Sequence, residues 1–442
     1  MKLLRSWYIF KMGKSVYIYT YGCQMNVHDS EKMRGLLVQD GFEVARRPEE
    51  ADLIVFNTCA IREKAEQKFY SQLGRTKFIK RRRSGVKIAV SGCVAQECGR
   101  GIFKRAPFVD FVLGPQNIPH IAKMVSGSPG SVYVDDAYDI TTEELFPDRD
   151  SSLKAWVSIM YGCNNFCSYC IVPYTRGREV SRPSGSIVSE VSALKEKGYR
   201  EVTLLGQNVN SYRSDTDFTG LLRRIDATGI PRIRFVTSHP RDLSDDLIAA
   251  MADLPRVCEH LHLPLQSGAD RILGLMNRGY SYREYARRVE LLRKTIPGIA
   301  ITTDIIVGFP GETDKEHDST VRSLQEMEFD GMFAFKYSPR KGTKASTMDG
   351  QVPDEVKSER LTELLLMQED ITRAINRRLE GTLQEVLVEG LAEADAGLMT
   401  GRTRSNKIVN FESSPEVVGS LAMIRIERTM THSLWGSKAD SE

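Results

Sequence analysis

Three short apolar runs near the start of the chain each end in a cysteine, and this repeat constrains the fold more than any other feature. The runs are SVYIYTYGC, ADLIVFNTC and VKIAVSGC, which end at Cys23, Cys59 and Cys93. Short runs rich in β-branched and aromatic residues predict buried strands, and a spacing of roughly 35 residues corresponds to one βα unit. Helical stretches such as SEKMRGLLVQDG lie between the runs, and FVDFVLG adds a fourth strand. We therefore predict a parallel sheet flanked by helices over residues 14–125.

The same repeat predicts a metal site. The carboxyl ends of neighbouring parallel strands lie at one edge of a sheet, where open α/β folds build their sites. Strands about 5 Å apart allow three thiolates to converge there. Eight cysteines in 442 residues are no disulfide scaffold, and patterned cysteines in a reducing compartment indicate metal binding or catalysis. Three unrelated buried cysteines are the alternative. We predict that Cys23, Cys59 and Cys93, the N-terminal triad, bind metal.

A second alternation of strands and helices begins at residue 153. The preceding stretch, 126–152, is rich in Ser and Gly and then acidic, which is typical of a linker. Beyond it, six apolar runs alternate with helical stretches, and these runs are AWVSIM, EVTLLG, RIRFVTS, CEHLHLPL, AITTDIIVG and MFAFKYS. Six βα units predict a partial (β/α)6 TIM barrel over 153–375, with its functional groups at the carboxyl ends of the strands.

The last part of the chain differs in pattern. After the helical run KSERLTELLLMQEDITRAINRRLEG come four short strand candidates, TLQEVLVEG, LMTGRTR, KIVNFE and LAMIRIERT. They predict a small β-barrel over residues 380–440. The predicted fold class is thus a multidomain α/β protein with a parallel-sheet domain, a partial barrel and a small C-terminal β-barrel. A length of 442 residues agrees with two or three domains.

The sequence YGCNNFCSYC directly follows the first strand of the predicted partial barrel. Its cysteines, Cys163, Cys167 and Cys170, form what we call the core triad. Structural zinc takes four Cys or His ligands, and the loop has no fourth, although His239 or His262 could reach it in the fold. A cubane iron–sulfur cluster suits three thiolates better, because one iron then stays open for a substrate. We predict such a cluster, with zinc as the alternative.

The spacing of the core triad, with Tyr169 before its last cysteine, resembles the signature of radical S-adenosylmethionine enzymes. Motifs along nearly the whole chain, from about residue 15 to 440, resemble one family within them, the methylthiotransferases. The N-terminal motifs are YGCQMNVHDSE, FNTCAIREKAEQK and SGCVAQE, and those of the core are GCNNFCSYCIVPYTRGREVSRP, LGQNVNSY, HLPLQSG, LMNRGY and DIIVGFPGET. The C-terminal part resembles the TRAM domain, an RNA-binding barrel. GCQMN and CSYCIVPYTRGRE resemble the MiaB-type branch, which modifies tRNA.

The resemblance implies an enzyme that adds a methylthio group to C2 of N6-isopentenyladenosine at position 37 of tRNA. It implies two 4Fe–4S clusters. The core triad would hold the one that cleaves S-adenosylmethionine, and the N-terminal triad would hold an auxiliary cluster that carries the sulfur. One S-adenosylmethionine would methylate that sulfur, and a second would supply the radical that activates C2. Cys98 and Cys258 are assigned to ordinary packing.

The implied partners are tRNA carrying N6-isopentenyladenosine, a reducing electron donor and a sulfur source. Other branches of the family act on threonylcarbamoyladenosine or on an aspartate of a ribosomal protein, and these remain alternative targets. A non-catalytic, metal-dependent RNA-binding protein is the alternative from another class. No residue is assigned as a catalytic acid or base.

Polar residues at the predicted strand ends are candidates for binding S-adenosylmethionine. A barrel presents such groups to ligands at its carboxyl rim, although a structural hydrogen bond is an equally good explanation for each one. The candidates are Tyr169, Gln207, Asn208, Ser238, Gln266 and Asp304.

RNA binding must depend on local basic clusters, since the formal net charge is only +3. RTKFIKRRR, residues 75–83, is one cluster, and basic residues also follow the core triad and recur in the last segment. A solvated helix face or an ion pair that fixes a loop is the alternative. The predicted RNA contacts are Arg176, Arg178, Arg402, Arg404 and Lys407.

The sequence contains no apolar run near the 18 residues of a membrane span. Its start lacks the apolar core of a secretory signal. We expect a cytoplasmic protein without a membrane partner.

Overall fold

The computed structural model describes residues 14–60, 63–135, 147–393 and 395–439. These residues cluster into two compact units. The first runs to Asp150 and includes the short segment Tyr174–Arg176, while the second comprises Ser151–Pro173 and the chain from Gly177 onward.

The first unit contains a six-stranded sheet in the order β2-β1-β3-β4-β5-β6, in which every neighbouring pair is parallel. Helices flank it, as parallel strands require because they need both faces covered. The strands are β1 Ser15–Thr20, β2 Glu43–Val44, β3 Leu53–Thr58, β4 Lys87–Gly92, β5 Phe111–Leu113 and β6 Ser131–Tyr133. The helices are α1 Gln24–Gln39, α2 Glu63–Arg82, α3 Cys93–Cys98, α4 Gly101–Arg105 and α5 Ile121–Ser126.

All four strands predicted for this region are present, and β3 is buried along its whole length. The linker prediction for 126–152 is wrong for Ser131–Tyr133, which pair with β5 as strand β6. An edge strand has a neighbour on one side only and needs no long apolar run, so its Ser- and Gly-rich surroundings gave no strand signal. Residues 136–146 of the predicted linker lie outside the described residues.

The second unit begins with the partial barrel. Two three-stranded parallel sheets, in the orders β7-β10-β11 and β12-β13-β14, are connected by a parallel bridge between Ile233 and Val257. The strands are β7 Lys154–Ser158, β8 Met160–Tyr161, β9 Val180–Ser181, β10 Glu201–Leu205, β11 Arg232–Phe235, β12 His260–His262, β13 Ala300–Val307 and β14 Gly331–Lys336. The helices are α6 Val172–Thr175, α7 Ser184–Glu196, α8 Phe218–Asp226, α9 Asp245–Asp253, α10 Asp270–Leu275, α11 Tyr282–Thr295, α12 Asp314–Met327 and α13 Asp354–Arg377.

The six predicted strands correspond to β7 and β10–β14, so the predicted partial (β/α)6 barrel is confirmed. A continuous core packs between these strands and the helices outside them, with Val202, Ile233 and Ile301 fully buried. Strand β13 alternates buried and partly exposed residues. The buried side chains face the helices in this pattern, which leaves the other face of the strand open to a ligand.

The C-terminal part of the second unit is a closed five-stranded barrel in the order β15-β16-β17-β19-β18. Ala422, Ile424 and Ile426 alternate with exposed residues along β18 and fill its interior. The predicted small barrel is confirmed, but its fifth strand was missed because LWGSK is short and only half apolar. The strands are β15 Leu383–Ala392, β16 Asp395–Thr403, β17 Ile408–Phe411, β18 Leu421–Thr429 and β19 Leu434–Lys438.

Buried arginines of β11 attach this C-terminal barrel to the partial barrel. The guanidinium of Arg234 donates to the backbone carbonyls of Thr403 and Arg404, at 2.7 and 2.8 Å. Its Nε donates to Glu201 Oε2 at 2.8 Å, and the side chains of both are about 5 % exposed. The carboxylate of Glu201 is thus the counter-charge of a cation that is almost fully removed from water.

Glu201→Gln is therefore expected to lower the free energy of unfolding by about 3 kcal/mol, because it leaves the Arg234 charge buried and uncompensated. The control is Asp370→Asn, which breaks the exposed ion pair between Asp370 and Arg373 on α13 and should cost less than about 0.5 kcal/mol. Urea unfolding of the full chain measures both. Equal losses in the two variants would contradict the role given to Glu201.

Candidate functional site

The N-terminal triad lies at the carboxyl edge of three adjacent strands. Cys23, Cys59 and Cys93 follow β1, β3 and β4. The register pairs Thr20 with Asn57 and Thr58 with Gly92, so the strands end side by side. Cys59 and Cys93 are buried and Cys23 is partly exposed. The edge is thus built as the repeat in the sequence predicts.

Glycines make the close packing at this edge possible. Gly22 has a φ of +126°, and a Cβ added there would lie 2.5 Å from the Cβ of Cys59. Gly92, with a φ of +90°, approaches the backbone of Thr58 so closely that a Cβ would overlap its carbonyl oxygen. Only glycine satisfies both conditions without strain. The close packing therefore explains why a glycine precedes both Cys23 and Cys93.

Two buried amides fix Cys23 relative to the sheet. The backbone N–H and the thiol of Cys23 both lie 3.4 Å from Asn26 Oδ1. The amide of Asn26 donates to Asn57 Oδ1 at 3.1 Å and to the carbonyl of Thr58 at 3.0 Å, and Asn57 returns a hydrogen bond to the carbonyl of Asn26 at 2.7 Å. This reciprocal pair couples the start of α1 to the end of β3.

The core triad lies on a loop that follows β7 and β8. The backbone N–H of Cys163 donates to the carbonyl of Gly177 at 3.1 Å, and that of Cys170 donates to the carbonyl of Cys167 at 2.9 Å. Gly162, with a φ of +73°, has no room for a side chain because the carbonyl of Arg178 occupies the space. The loop is thus fixed by backbone contacts as well as by its cysteines.

A second segment, Leu275–Arg278, holds this loop from the other side. The backbone N–H of Ser168 donates to the carbonyl of Met276 at 3.0 Å, and the amide of Asn277 donates to the carbonyls of Asn165 and Phe166, both at 3.1 Å. Arg278 is buried and its Nη1 lies 3.4 Å from the sulfur of Cys167. The segment belongs to LMNRGY, one of the core motifs of the family resemblance, although none of its residues was among the predicted site residues.

Burial keeps two thiols of the core triad protonated when no metal is present. It raises the pKa of Cys163 to about 11 and that of Cys170 to about 12. Metal ligation requires thiolates, so cluster binding must release these protons. Within the described residues, no three His, Cys, Asp or Glu side chains converge on a point as ligands of one ion. A cubane does not need such a point, because each of its thiolates binds a different iron.

Several predicted S-adenosylmethionine ligands carry buried polar atoms that have no hydrogen-bond partner among the described residues. Both amide atoms of Gln207 are in this state, as are Ser238 Oγ and Gln266 Oε1. Asn208 donates to Asp242 at 2.6 Å and keeps an unpaired Oδ1. These residues follow β10, β11 and β12 at the carboxyl rim. Buried polar groups normally have partners, so their concentration at one rim fits a polar ligand.

The two remaining candidates have protein partners. Asp304 Oδ2 lies 3.4 Å from His262 Nε2, and the other ring nitrogen of His262 is 3.0 Å from Thr302 Oγ1. Tyr169 packs against the apolar cluster that contains Phe309 and Tyr337. Among the described residues these two therefore make structural contacts.

His239, which follows β11 directly after Ser238, belongs to the same rim. Its Nδ1 accepts a hydrogen bond from the backbone N–H of Arg241 at 3.2 Å, and its Nε2 is buried with no partner in the described part of the chain. Desolvation, with the nearby charges of Arg278 and Arg241, lowers its pKa to about 2. The ring is neutral at physiological pH, and Nε2 can donate to an uncharged acceptor.

Most of the predicted RNA contacts are engaged in ion pairs instead. Arg404 makes two 2.7 Å contacts with the carboxylate of Glu259, and Lys407 Nζ lies 2.8 Å from Asp330. These pairs attach the C-terminal barrel to the partial barrel, and the prediction that both side chains also bind RNA stays a prediction. Arg402 contacts the carbonyl of Asn406 at 3.2 Å.

The two arginines that follow the core triad differ from each other. Arg176 is buried and paired with Asp29, so the prediction of an RNA contact is not supported for it. Arg178 is exposed, with its guanidinium 4.5 Å from the ring centre of Phe166, and it remains available.

Three family matches cover most of the chain. Residues 15–114 match uncharacterized protein family UPF0004, residues 157–324 match the radical SAM superfamily, and residues 377–439 match the TRAM domain. No helix in the described ranges is long and apolar enough to cross a bilayer. Together with the partial barrel and the core triad, the matches define a radical S-adenosylmethionine enzyme, a class that uses a 4Fe–4S cluster and S-adenosylmethionine.

Relatives that match nearly the whole chain identify the family within this class. The tRNA-2-methylthio-N(6)-dimethylallyladenosine synthase of Thermodesulfovibrio yellowstonii is 50 % identical over 96 % of this chain and 98 % of its own. The enzyme of the same name from Syntrophus aciditrophicus is 46 % identical over 96 % and 94 %. This chain belongs to the tRNA-2-methylthio-N(6)-dimethylallyladenosine synthase family, which confirms the resemblance found in its motifs.

Solved structures agree with the fold. The radical S-adenosylmethionine methyltransferase TsrM from Kitasatospora setae, with cobalamin and a [4Fe-4S] cluster bound, superposes with a TM-score of 0.56 at 14 % identity. The match covers 76 % of this chain and 77 % of that one. The cobalamin-dependent S-adenosylmethionine radical enzyme OxsB gives 0.54 at 10 % identity, over 81 % of this chain and 56 % of its own. At such identities the likeness concerns the fold alone.

Proposed function

We propose that this protein adds a methylthio group to C2 of N6-isopentenyladenosine at position 37 of tRNA. The observation that carries the proposal is the similarity over nearly the whole chain to synthases named for that product. The tRNA substrate would place the activity in the cytoplasm. Reaction by this route also requires a reducing electron donor and a source of sulfur.

Both triads have the donor chemistry of an iron–sulfur site. Each offers three cysteines on a rim narrowed by glycine, with Gly22 and Gly92 beside the N-terminal triad and Gly162 beside the core triad. We assign a 4Fe–4S cluster to each triad. When bound, the core cluster would supply the electron that cleaves S-adenosylmethionine, and the auxiliary cluster would carry the sulfur. Arg278 would stabilise the thiolate of Cys167, because its buried guanidinium already contacts that sulfur.

The proposed contacts of S-adenosylmethionine are the buried polar atoms at the carboxyl rim that have no hydrogen-bond partner among the described residues. Gln207, Ser238 and Gln266 offer amide and hydroxyl groups, which suit ribose hydroxyls, adenine nitrogens and the amino-acid part of the ligand. Neutral His239 adds a further donor. Because the buried atoms of these side chains have no hydrogen-bond partner among the described residues, the ligand would displace no hydrogen bond from them when it binds.

For RNA we propose the exposed face of α2. In the 75–83 cluster, Lys80 pairs with Asp110 at 2.5 Å and Arg83 with Asp52 at 2.7 Å. Arg75, Arg81 and Arg82 remain exposed around Phe78, whose side chain is 62 % exposed. A large aromatic ring among cations fits a nucleic acid, which offers phosphates and stackable bases. Exposed Arg178, Arg425 and Arg428 are further candidates.

The double variant Arg81→Gln/Arg82→Gln is expected to flatten the salt dependence of tRNA binding by about 1.8 in the slope of log K against log salt. Phe78→Ala should weaken binding about tenfold or more by loss of stacking, with the slope unchanged. Filter binding at several salt concentrations separates the two effects. The control, Arg373→Gln on α13, removes an exposed charge elsewhere. An unchanged slope in the double variant would exclude this face.

Nucleoside mass spectrometry of tRNA tests the function itself. A strain that lacks this gene is expected to lose 2-methylthio-N6-isopentenyladenosine and accumulate N6-isopentenyladenosine, and the wild-type chain should restore the product. Intact product in the deletion strain would reject the proposal. Loss of the methylthio group from threonylcarbamoyladenosine, or from a ribosomal-protein aspartate, would establish one of the alternative targets instead.

A further inference from the structure

An ion pair in the first unit leaves half of its hydrogen-bonding capacity unused. Arg176 Nη2 lies 2.7 Å from Asp29 Oδ2, and the two side chains are 3 % and 1 % exposed. The other atoms of the two groups, Arg176 Nη1 and Asp29 Oδ1, are buried without a hydrogen-bond partner in the described ranges. A two-pronged contact, the usual arrangement of guanidinium and carboxylate, would have satisfied all four atoms.

This pair lies beside the N-terminal triad. Arg176 belongs to the segment Tyr174–Arg176 that clusters with the first unit. Its charge interacts with the thiols of Cys93 and Cys23 as well as with Asp29. Asp29 is one turn along α1 from Asn26, the residue that contacts Cys23. The guanidinium of Arg176 is therefore close enough to Cys93 and Cys23, two of the three cysteines proposed to hold the auxiliary cluster, for their charges to interact.

A buried guanidinium donor without a partner is unfavourable, and native structures rarely keep one without a function. Arginine is always protonated and binds anions through fixed N–H groups. Three thiolates leave one iron of a cubane open, and the ligand proposed for that iron is an anion, a sulfide or a methylated sulfide. Such an anion would give Arg176 Nη1 the hydrogen-bond acceptor that it lacks, and its negative charge would attract the guanidinium.

We propose that Arg176 binds the anionic sulfur ligand of the auxiliary cluster through Nη1, and that Asp29 orients the guanidinium and limits its attraction for the anion. The inference rests on the proposed function, because it assumes a cluster on the N-terminal triad. Asp29 keeps the pair neutral before the ligand arrives. It also prevents the ligand from being held too tightly to be transferred.

The test measures ligand affinity rather than turnover. The full chain with all three core-triad cysteines changed to Ala is reconstituted, so that only the auxiliary cluster remains. Methanethiolate is titrated in, and the electron paramagnetic resonance spectrum of the reduced cluster reports binding. Arg176→Gln is expected to raise the Kd for methanethiolate about 10- to 100-fold, the usual effect of losing a group that supports a metal site. Asp29→Asn should lower the Kd, because it removes a negative charge and keeps the shape.

These opposite effects distinguish anion binding from a structural ion pair, since both variants break the same pair. Iron content and thermal unfolding are measured alongside, and Arg178→Gln, the neighbouring exposed arginine, should leave the Kd unchanged. Equal weakening in both variants, or a Kd within about twofold of the parent in Arg176→Gln, would overturn the inference. If the parent itself holds no cluster, or its spectrum ignores methanethiolate, the two-cluster function fails instead.

Discussion

Cys163→Ala should abolish reductive cleavage of S-adenosylmethionine and remove about half of the bound iron. The parent, with two clusters of four, should hold about eight irons after anaerobic reconstitution, and the variant about four. Loss of one thiolate from the core triad leaves two, and two cannot retain a cubane against solvent. Gly162 and the contacts of Ser168 with Leu275 and Met276 remain, so the loop should keep its shape.

The matched control is Cys258→Ala, since Cys258 is also buried in the second unit but outside the triad. It should keep about eight irons and full cleavage. Iron analysis and chromatography of 5′-deoxyadenosine measure both variants. Normal cleavage by Cys163→Ala would show that the core triad is not the site of this reaction, whatever the iron content.

Cys59→Ala is expected to separate the two halves of the reaction. Cleavage of S-adenosylmethionine should continue at the core triad, while methylthiolated tRNA is no longer formed. The reason is positional, because Cys59 is the central member of the edge formed by β1, β3 and β4. Its Cβ lies against Gly22 and is kept in alanine, so the substitution removes the proposed ligand and leaves the turn that presents Cys23 in place.

Nucleoside mass spectrometry of tRNA treated with the variant measures the product, and 5′-deoxyadenosine measures cleavage in the same sample. Cys98→Ala serves as the control, because Cys98 ends α3, which begins at Cys93, and is assigned only to packing. Methylthiolated product from Cys59→Ala would show that the N-terminal triad is dispensable. Loss of cleavage as well would show that the two sites are not independent.

The positions of the two triads could be predicted from the sequence, because the same few residues define a strand and the site that follows it. Each apolar run that ends in a cysteine defines both a parallel strand and the edge on which the thiol lies. The edge strand β6 was missed for the opposite reason. Ser131–Tyr133 have no apolar run, and their pairing with β5 depends on a neighbour that only the folded sheet provides.

The charged residues were the least predictable, because the partner of a charge comes from distant parts of the chain. Arg404 was predicted from sequence only as an RNA contact, and its 2.7 Å contact with Glu259 could not be foreseen. Arg278 was not singled out, although it contacts the sulfur of Cys167, which lies far from it in sequence. Local sequence patterns predict helices, strands and turns. The partner of a charged residue depends instead on which elements lie side by side in the fold.

The hydrogen bonds from Leu275–Arg278 to the loop of the core triad do not involve iron. If oxidation removes the metal, the loop of the core triad should therefore keep its shape and not collapse. We therefore expect that iron and sulfide added to the folded, metal-free protein would restore the site without refolding.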